Sequence, residues 1–177
     1  MFNMLIKRQY SAQNIDALNR TAVAEVDLQN GAIFALEEYS TAADEALVWK
    51  TKQLAKNAKT MWMASSPEIV LTKLADGTVL KGIDNNPRDF VNVAGHPIDA
   101  FKVCEGDILT FVASDTDTVI GKNILVSSAS NFAFEEASQA PSTGLYLKKV
   151  GDEKIHIGDG SLRKTAVSGT KYQVMMA

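Results

Sequence analysis

Residues 101–114 read FKVCEGDILTFVAS. Phe101 and Val103 form one apolar run, and Ile108, Leu109, Phe111 and Val112 form another. Glu105-Gly106-Asp107 splits the two. Short runs of β-branched and aromatic residues on either side of a Gly-Asp pair read as strands joined at a turn. The same pattern recurs outward in both directions. Upstream, Val23, Val26 and Leu28 precede Asn30-Gly31, and Ile33, Phe34 and Leu36 follow it, which predicts a hairpin pairing 23–28 with 33–36. Residues 46–49 and 61–64 are further extended runs, and 69–74 and 79–80 flank a turn at Asp76-Gly77. Downstream, strands are expected over 119–126, around Phe132 and Phe134, on both sides of Gly151-Asp152 (145–150 and 155–157), and over 171–176.

Little in the chain has helical spacing. The stretch TKQLAKNAK (51–59) reads as one helical turn or as a basic loop. Asn85-Asn86-Pro87 stops pairing and predicts a short helix, capped by Asn86, through about Val93, with Gly95 ending it. Residues 1–20 show no period of 3.6 or 2 and carry Lys7, Arg8 and Arg20 against Asp16, so they read as an irregular N-terminal arm, mobile or docked on a neighbour. The expected fold is mainly β: a barrel or sandwich of many short antiparallel strands with one or two short helices. Residues 21–177 form a single β-rich domain.

Composition narrows the function. The chain has 177 residues, 46% apolar and 22% charged, enough to bury a core without staples. Its net charge of −3 gives no electrostatic footprint for nucleic acid or an anionic membrane. One cysteine, Cys104, excludes an internal disulfide, and two histidines, His96 and His156, make no zinc site with it. No apolar run reaches the roughly 20 residues that cross a bilayer. These features fit a protein that folds in a reducing cytoplasm.

Catalytic patterns are scarce. GxSxG, HExxH, P-loop and GxGxxG signatures are absent. Gly158-Asp159-Gly160-Ser161 reads as a surface turn. Cys104 with His96 as base is conceivable, but Cys104 lies in an apolar run where a small buried thiol is ordinary. Glu37-Glu38, Asp44-Glu45 and Glu135-Glu136 are adjacent acids, which on a strand point to opposite faces and do not flank a sugar cleft. Asp115 and Asp117 lack the further acids of a calcium loop. Lys50, Lys52, Lys56 and Lys59 read as a solvated face or as a patch that meets an acidic neighbour. No catalytic residue, cofactor or metal is expected.

One pattern is more specific. The run ASSPEIVL (64–71) is followed by NNPRDFVNVAGHPIDAFKVCEGDILTFVAS (85–114). Pro67-Glu68-Ile69, then Asp89-Phe90-Val91-Asn92, Gly95 and Pro97, then Gly106-Asp107-Ile108 resemble small virion structural proteins of tailed bacteriophages, of the head-decoration or cement type. The early Asn30-Gly31 turn matches as well, so the likeness spans roughly residues 20–126. Asp99 departs from it, standing where that group often has a basic residue. The resemblance implies a non-enzymatic protein that decorates or cements the outside of a capsid. Its partners would be the major capsid protein and copies of itself, without nucleic acid or membrane, and its location the virion surface after synthesis in the host cytoplasm. Lys7, Arg8, Arg20, Lys52, Lys56 and Lys59 are the candidate partner contacts. Two alternatives stand beside it: a head-tail or tail component of the virion, and a carbohydrate-binding β-module using Tyr39, Trp49, Trp62 and Tyr146 as a stacking platform. A small hydrolase on a β-barrel is a third.

Overall fold

The computed structural model describes residues 2–39, 48–68, 71–73, 79–81, 90–113, 118–158 and 164–177. The strands are β1 (Phe2–Gln9), β2 (Asn19–Val23), β3 (Ile33–Tyr39), β4 (Val48–Lys52), β5 (Met61–Ala64), β6 (Leu71–Lys73), β7 (Val79–Lys81), β8 (Pro97–Val103), β9 (Ile108–Ala113), β10 (Ile124–Ser127), β11 (Phe134–Glu136), β12 (Leu145–Gly158) and β13 (Lys164–Met176). Two short 3-10 turns, Ser11–Asn14 and Asp16–Leu18, link β1 to β2. Five strands close a barrel in the order β2-β4-β3-β5-β8, and six form a sheet in the order β1-β9-β13-β12-β10-β11; β6 and β7 pair with each other. The mainly-β expectation therefore holds. Among these pairings only β2 with β4 is parallel.

Strand β8 explains how the two units become one body. Its side chains alternate, so Ile98 and Ala100 enter the barrel while Phe101 and Val103 face the six-stranded sheet. A five-stranded barrel has a narrow interior. Small residues accommodate it here: Ala22, Ala32, Ala64 and Ala100 pack around Phe34 and Ile98. The larger core lies between the units, where Met61, Met63, Phe101 and Val103 meet Leu109, Phe111, Leu125, Leu147, Tyr172 and Val174. Phe111 sits edge-on to Phe134 and Tyr172, with ring centroids 6.1 and 6.0 Å away. A third cluster covers the far face of the sheet. There Met4 and Val112 pack against Ile155 and Ile157, from the distal half of the β12–β13 ribbon.

Glu105-Gly106-Asp107 is the corner between barrel and sheet. Gly106 adopts φ 90°, and the Asp107 N–H bonds the Cys104 carbonyl at 3.2 Å. Both flanking strands form, one in each unit. Asp107 is 2% exposed. Its carboxylate accepts from the Cys104 N–H at 2.9 Å and from both the N–H and the hydroxyl of Ser11 at 2.8 Å.

Several sequence expectations need correction. Residues 2–9 are not an irregular arm: β1 pairs antiparallel with β9 from Phe2↔Ala113 to Gln9↔Ile108. Met4 and Leu5 alternate into opposite cores, a period too short for composition to reveal. Asn30-Gly31 forms a turn, closed by the Ala32 N–H on the Gln29 carbonyl at 3.1 Å, but β2 and β3 do not pair with each other. Gly31 has φ 90°, whereas Asn30 does not share the positive φ that a two-residue type I′ hairpin needs at both central positions. Gly151-Asp152 is not a turn. Strand β12 runs through it, with a register shift between Lys149 and Gly151 that marks a bulge. Residues 90–93 carry no helix, since Asn92 bridges Leu28. The strand expected over 119–126 is confined to Ile124–Ser127. Of the two readings of 51–59, the loop is the one that forms, over residues 53–60. The Asp76-Gly77 turn, the proposed cap at Asn86, Asp89, Asp44-Glu45, Asp115, Asp117 and most of Gly158–Ser161 lie outside the described residues.

Candidate binding groove

Strands β3 and β4 are antiparallel, and their register sets Tyr39 opposite Trp49. Directly opposed residues share a face, so the two rings meet, with centroids 4.1 Å apart and planes tilted by 37°. Tyr39 remains 49% exposed. These rings form one wall of a groove of about 730 Å³. The 3-10 turn and β2 contribute Asp16, Asn19, Arg20 and Thr21; Ser65 and Pro67 follow β5; and β8 contributes Asp99, Ala100 and Phe101.

The polar groups of the groove are held in place. The Arg20 guanidinium donates to the backbone carbonyls of Asn19 at 2.7 Å and Asp16 at 3.1 Å, and lies 5.8 Å from the centre of the Trp62 ring. The Asn19 amide donates to the carbonyls of Ala12 at 2.8 Å and Ile15 at 3.0 Å. The Lys7 ammonium sits over Tyr10 and Phe101, 5.0 and 5.6 Å from the ring centres. Burial lowers the Lys7 pKa, opposed by the nearby carboxylates of Asp99 and Glu68. Burial also raises the Glu68 carboxyl, against a hydrogen bond from Asn30 and the charge of Lys7.

No protein-family model, curated protein or solved structure matches this chain.

The structure disperses the candidate partner contacts. Arg8 pairs with Glu153 at 2.9 Å, Lys52 with Glu37 at 2.7 Å and Lys56 with Glu135 at 3.2 Å. Lys7 and Arg20 come together in the groove. Lys59 is exposed in the loop before β5. The adjacent acids are partners of lysines: Glu38 pairs with Lys50 at 2.9 Å, and Glu136 with Lys122 at 3.2 Å. The hydrogen bond from Lys50 holds the Glu38 carboxyl below the ordinary range. Cys104 does not meet His96: its thiol contacts the Lys102 carbonyl at 3.8 Å, while His96 lies exposed beside the Gly95 turn. Burial, then the charge of Asp107, pushes the Cys104 thiol up, away from an activated thiolate. Among the described residues, no three His, Cys, Asp or Glu side chains cluster as a metal site, and no helix is long and apolar enough to cross a membrane.

Of the four aromatics proposed as a platform, the structure joins Tyr39 and Trp49. Trp62 packs on the barrel core, and Tyr146 belongs to β12 in the other sheet. Sequence reading missed Asp16 and Asn19 as neighbours of these rings, because the parallel β2–β4 pairing that brings β2 alongside has no local signal. The register of β3 on β4, once known, would have found the Tyr39–Trp49 pair.

Proposed function

We propose that the protein is a non-enzymatic virion structural protein of a tailed bacteriophage that decorates or cements the outside of the capsid, binding the major capsid protein and neighbouring copies of itself. One observation carries this reading: Asn92, Gly95, Pro97 and Gly106-Asp107, all from the stretch that resembles the decoration group, act as framework. Asn92 is buried and bonds the Leu28 carbonyl at 3.0 Å and Asn30 at 3.2 Å. Gly95 turns the chain into Pro97 at the start of β8, and Gly106-Asp107 makes the corner into β9. Such residues preserve a shape, and shape is what a cement subunit presents to a shell.

With β1 built into the sheet, docking falls to exposed side chains and loops. Val26, Val91 and Val93 are 48%, 37% and 54% exposed. The Leu28–Asn92 bridge and the Asp27 carboxylate, which accepts the Ala94 N–H at 2.8 Å, bring their two segments together into one aliphatic corner. Several weak corners engaging a symmetric shell at once gain by multivalency. The test adds purified protein to heads that lack it and measures occupancy by cryo-electron microscopy. Occupied, symmetry-related densities are expected, with Val93→Asp reducing occupancy while leaving the fold intact. Heads that stay bare would overturn the reading.

A further inference from the structure

We propose that the groove beside Tyr39 and Trp49 binds a neutral saccharide, a property separate from capsid attachment. The aromatic pair is partly exposed and fixed by strand register rather than by a loop. A pyranose presents a C–H face that packs on an aromatic ring and a rim of hydroxyls that exchange hydrogen bonds with planar polar groups. Both halves of that requirement meet in this groove. Tyr39 and Trp49 supply the face, while Arg20, Asn19, Asp16 and Asp99 supply donors and acceptors.

Two further observations favour this chemistry over others. Among the described residues the charges that line the groove balance, with Lys7 and Arg20 against Asp16 and Asp99, whereas a strand of nucleic acid needs a positive channel. The polar groups are also pre-positioned: Arg20 is fixed by two carbonyls and Asn19 by two more, which lowers the ordering cost of binding a flexible, hydroxylated ligand. The volume of about 730 Å³ lies within the ordinary range of small-molecule sites.

The chain has two tryptophans, so a Trp62→Phe background leaves Trp49 as the sole indole reporter. Maltohexaose, cellohexaose and chitohexaose are titrated against it, with a proline-rich peptide and oligothymidylate as comparators. A saturable change in Trp49 emission is expected with at least one oligosaccharide, about tenfold weaker in Tyr39→Ser and in Asp99→Ala. Both substituted side chains are exposed, and unchanged melting curves confirm that the variants fold. Silence with all three sugars at millimolar concentration, a response to the peptide or oligothymidylate alone, or an affinity indifferent to both substitutions would overturn the proposal. Head occupancy by Tyr39→Ser, expected at the unsubstituted level, keeps this result distinct from the capsid reading.

Discussion

Two acids show what single residues contribute. Asp107 is a buried carboxylate whose oxygens satisfy three donors at the corner between the units. Asp107→Ala strands those donors and is expected to cost about 2–4 kcal/mol, since each buried group left unsatisfied costs about 1–3; chemical denaturation measures it. Asp107→Asn keeps one acceptor and is expected to cost less. Glu153 is a pH-dependent case. Burial pushes its carboxyl up, but hydrogen bonds from Thr110 and Arg8, with the charges of Arg8 and Lys171, outweigh this and hold it below its ordinary value of 4.5. A depressed folded pKa means that the stabilisation is complete above the unfolded value and is lost as the pH falls through the folded one. Melting temperatures across the acid range are expected to fall less steeply for Glu153→Gln than for the unsubstituted protein.

Several strands were legible as short apolar runs. Phe101–Val103, Ile108–Val112, Met61–Ala64 and the C-terminal run all fall on strands. Their partners were not legible, because pairing depends on which edges remain open after the barrel closes. The Asn30-Gly31 turn therefore forms without a hairpin, and β1 passes for an arm because its pattern, Met4 to one core and Leu5 to the other, makes both faces apolar. The joining of Tyr39 with Trp49 is hidden for the same reason, although their residue type marks both as stacking candidates. Two element-scale outcomes follow. Removing residues 1–9 takes Met4 and Leu5 from buried sites, at about 1.5–3 kcal/mol each, and opens the edge of β9. A loss of at least about 3 kcal/mol by denaturation is expected, where a free arm would cost nothing. Phe111→Ala, at a fully buried ring between Phe134 and Tyr172, is expected to cost about 3–5 kcal/mol by the same measurement.

At the scale of the whole molecule, barrel and sheet share their largest core, to which β5 and β8 contribute from one side and β9, β10, β12 and β13 from the other. Neither unit can expose its half without exposing the other's. Calorimetry is therefore expected to give one transition, with calorimetric and van't Hoff enthalpies equal. Two resolved transitions would mean that the barrel holds without the sheet.

The position of β13 also bears on how the chain is made. It lies between β9 and β12, and β9 in turn holds β1. A ribosome delivers these strands in the opposite order of need: β1 emerges first and waits through more than half the chain for β9, and the sheet has no centre until β13 leaves the exit tunnel. The barrel strands, all complete by Val103, can associate earlier, but their outward apolar face stays uncovered until then. A pause in translation before residue 164 would thus leave an unpaired β9 edge beside exposed Phe101 and Met61, the kind of surface on which nascent chains aggregate or recruit chaperones.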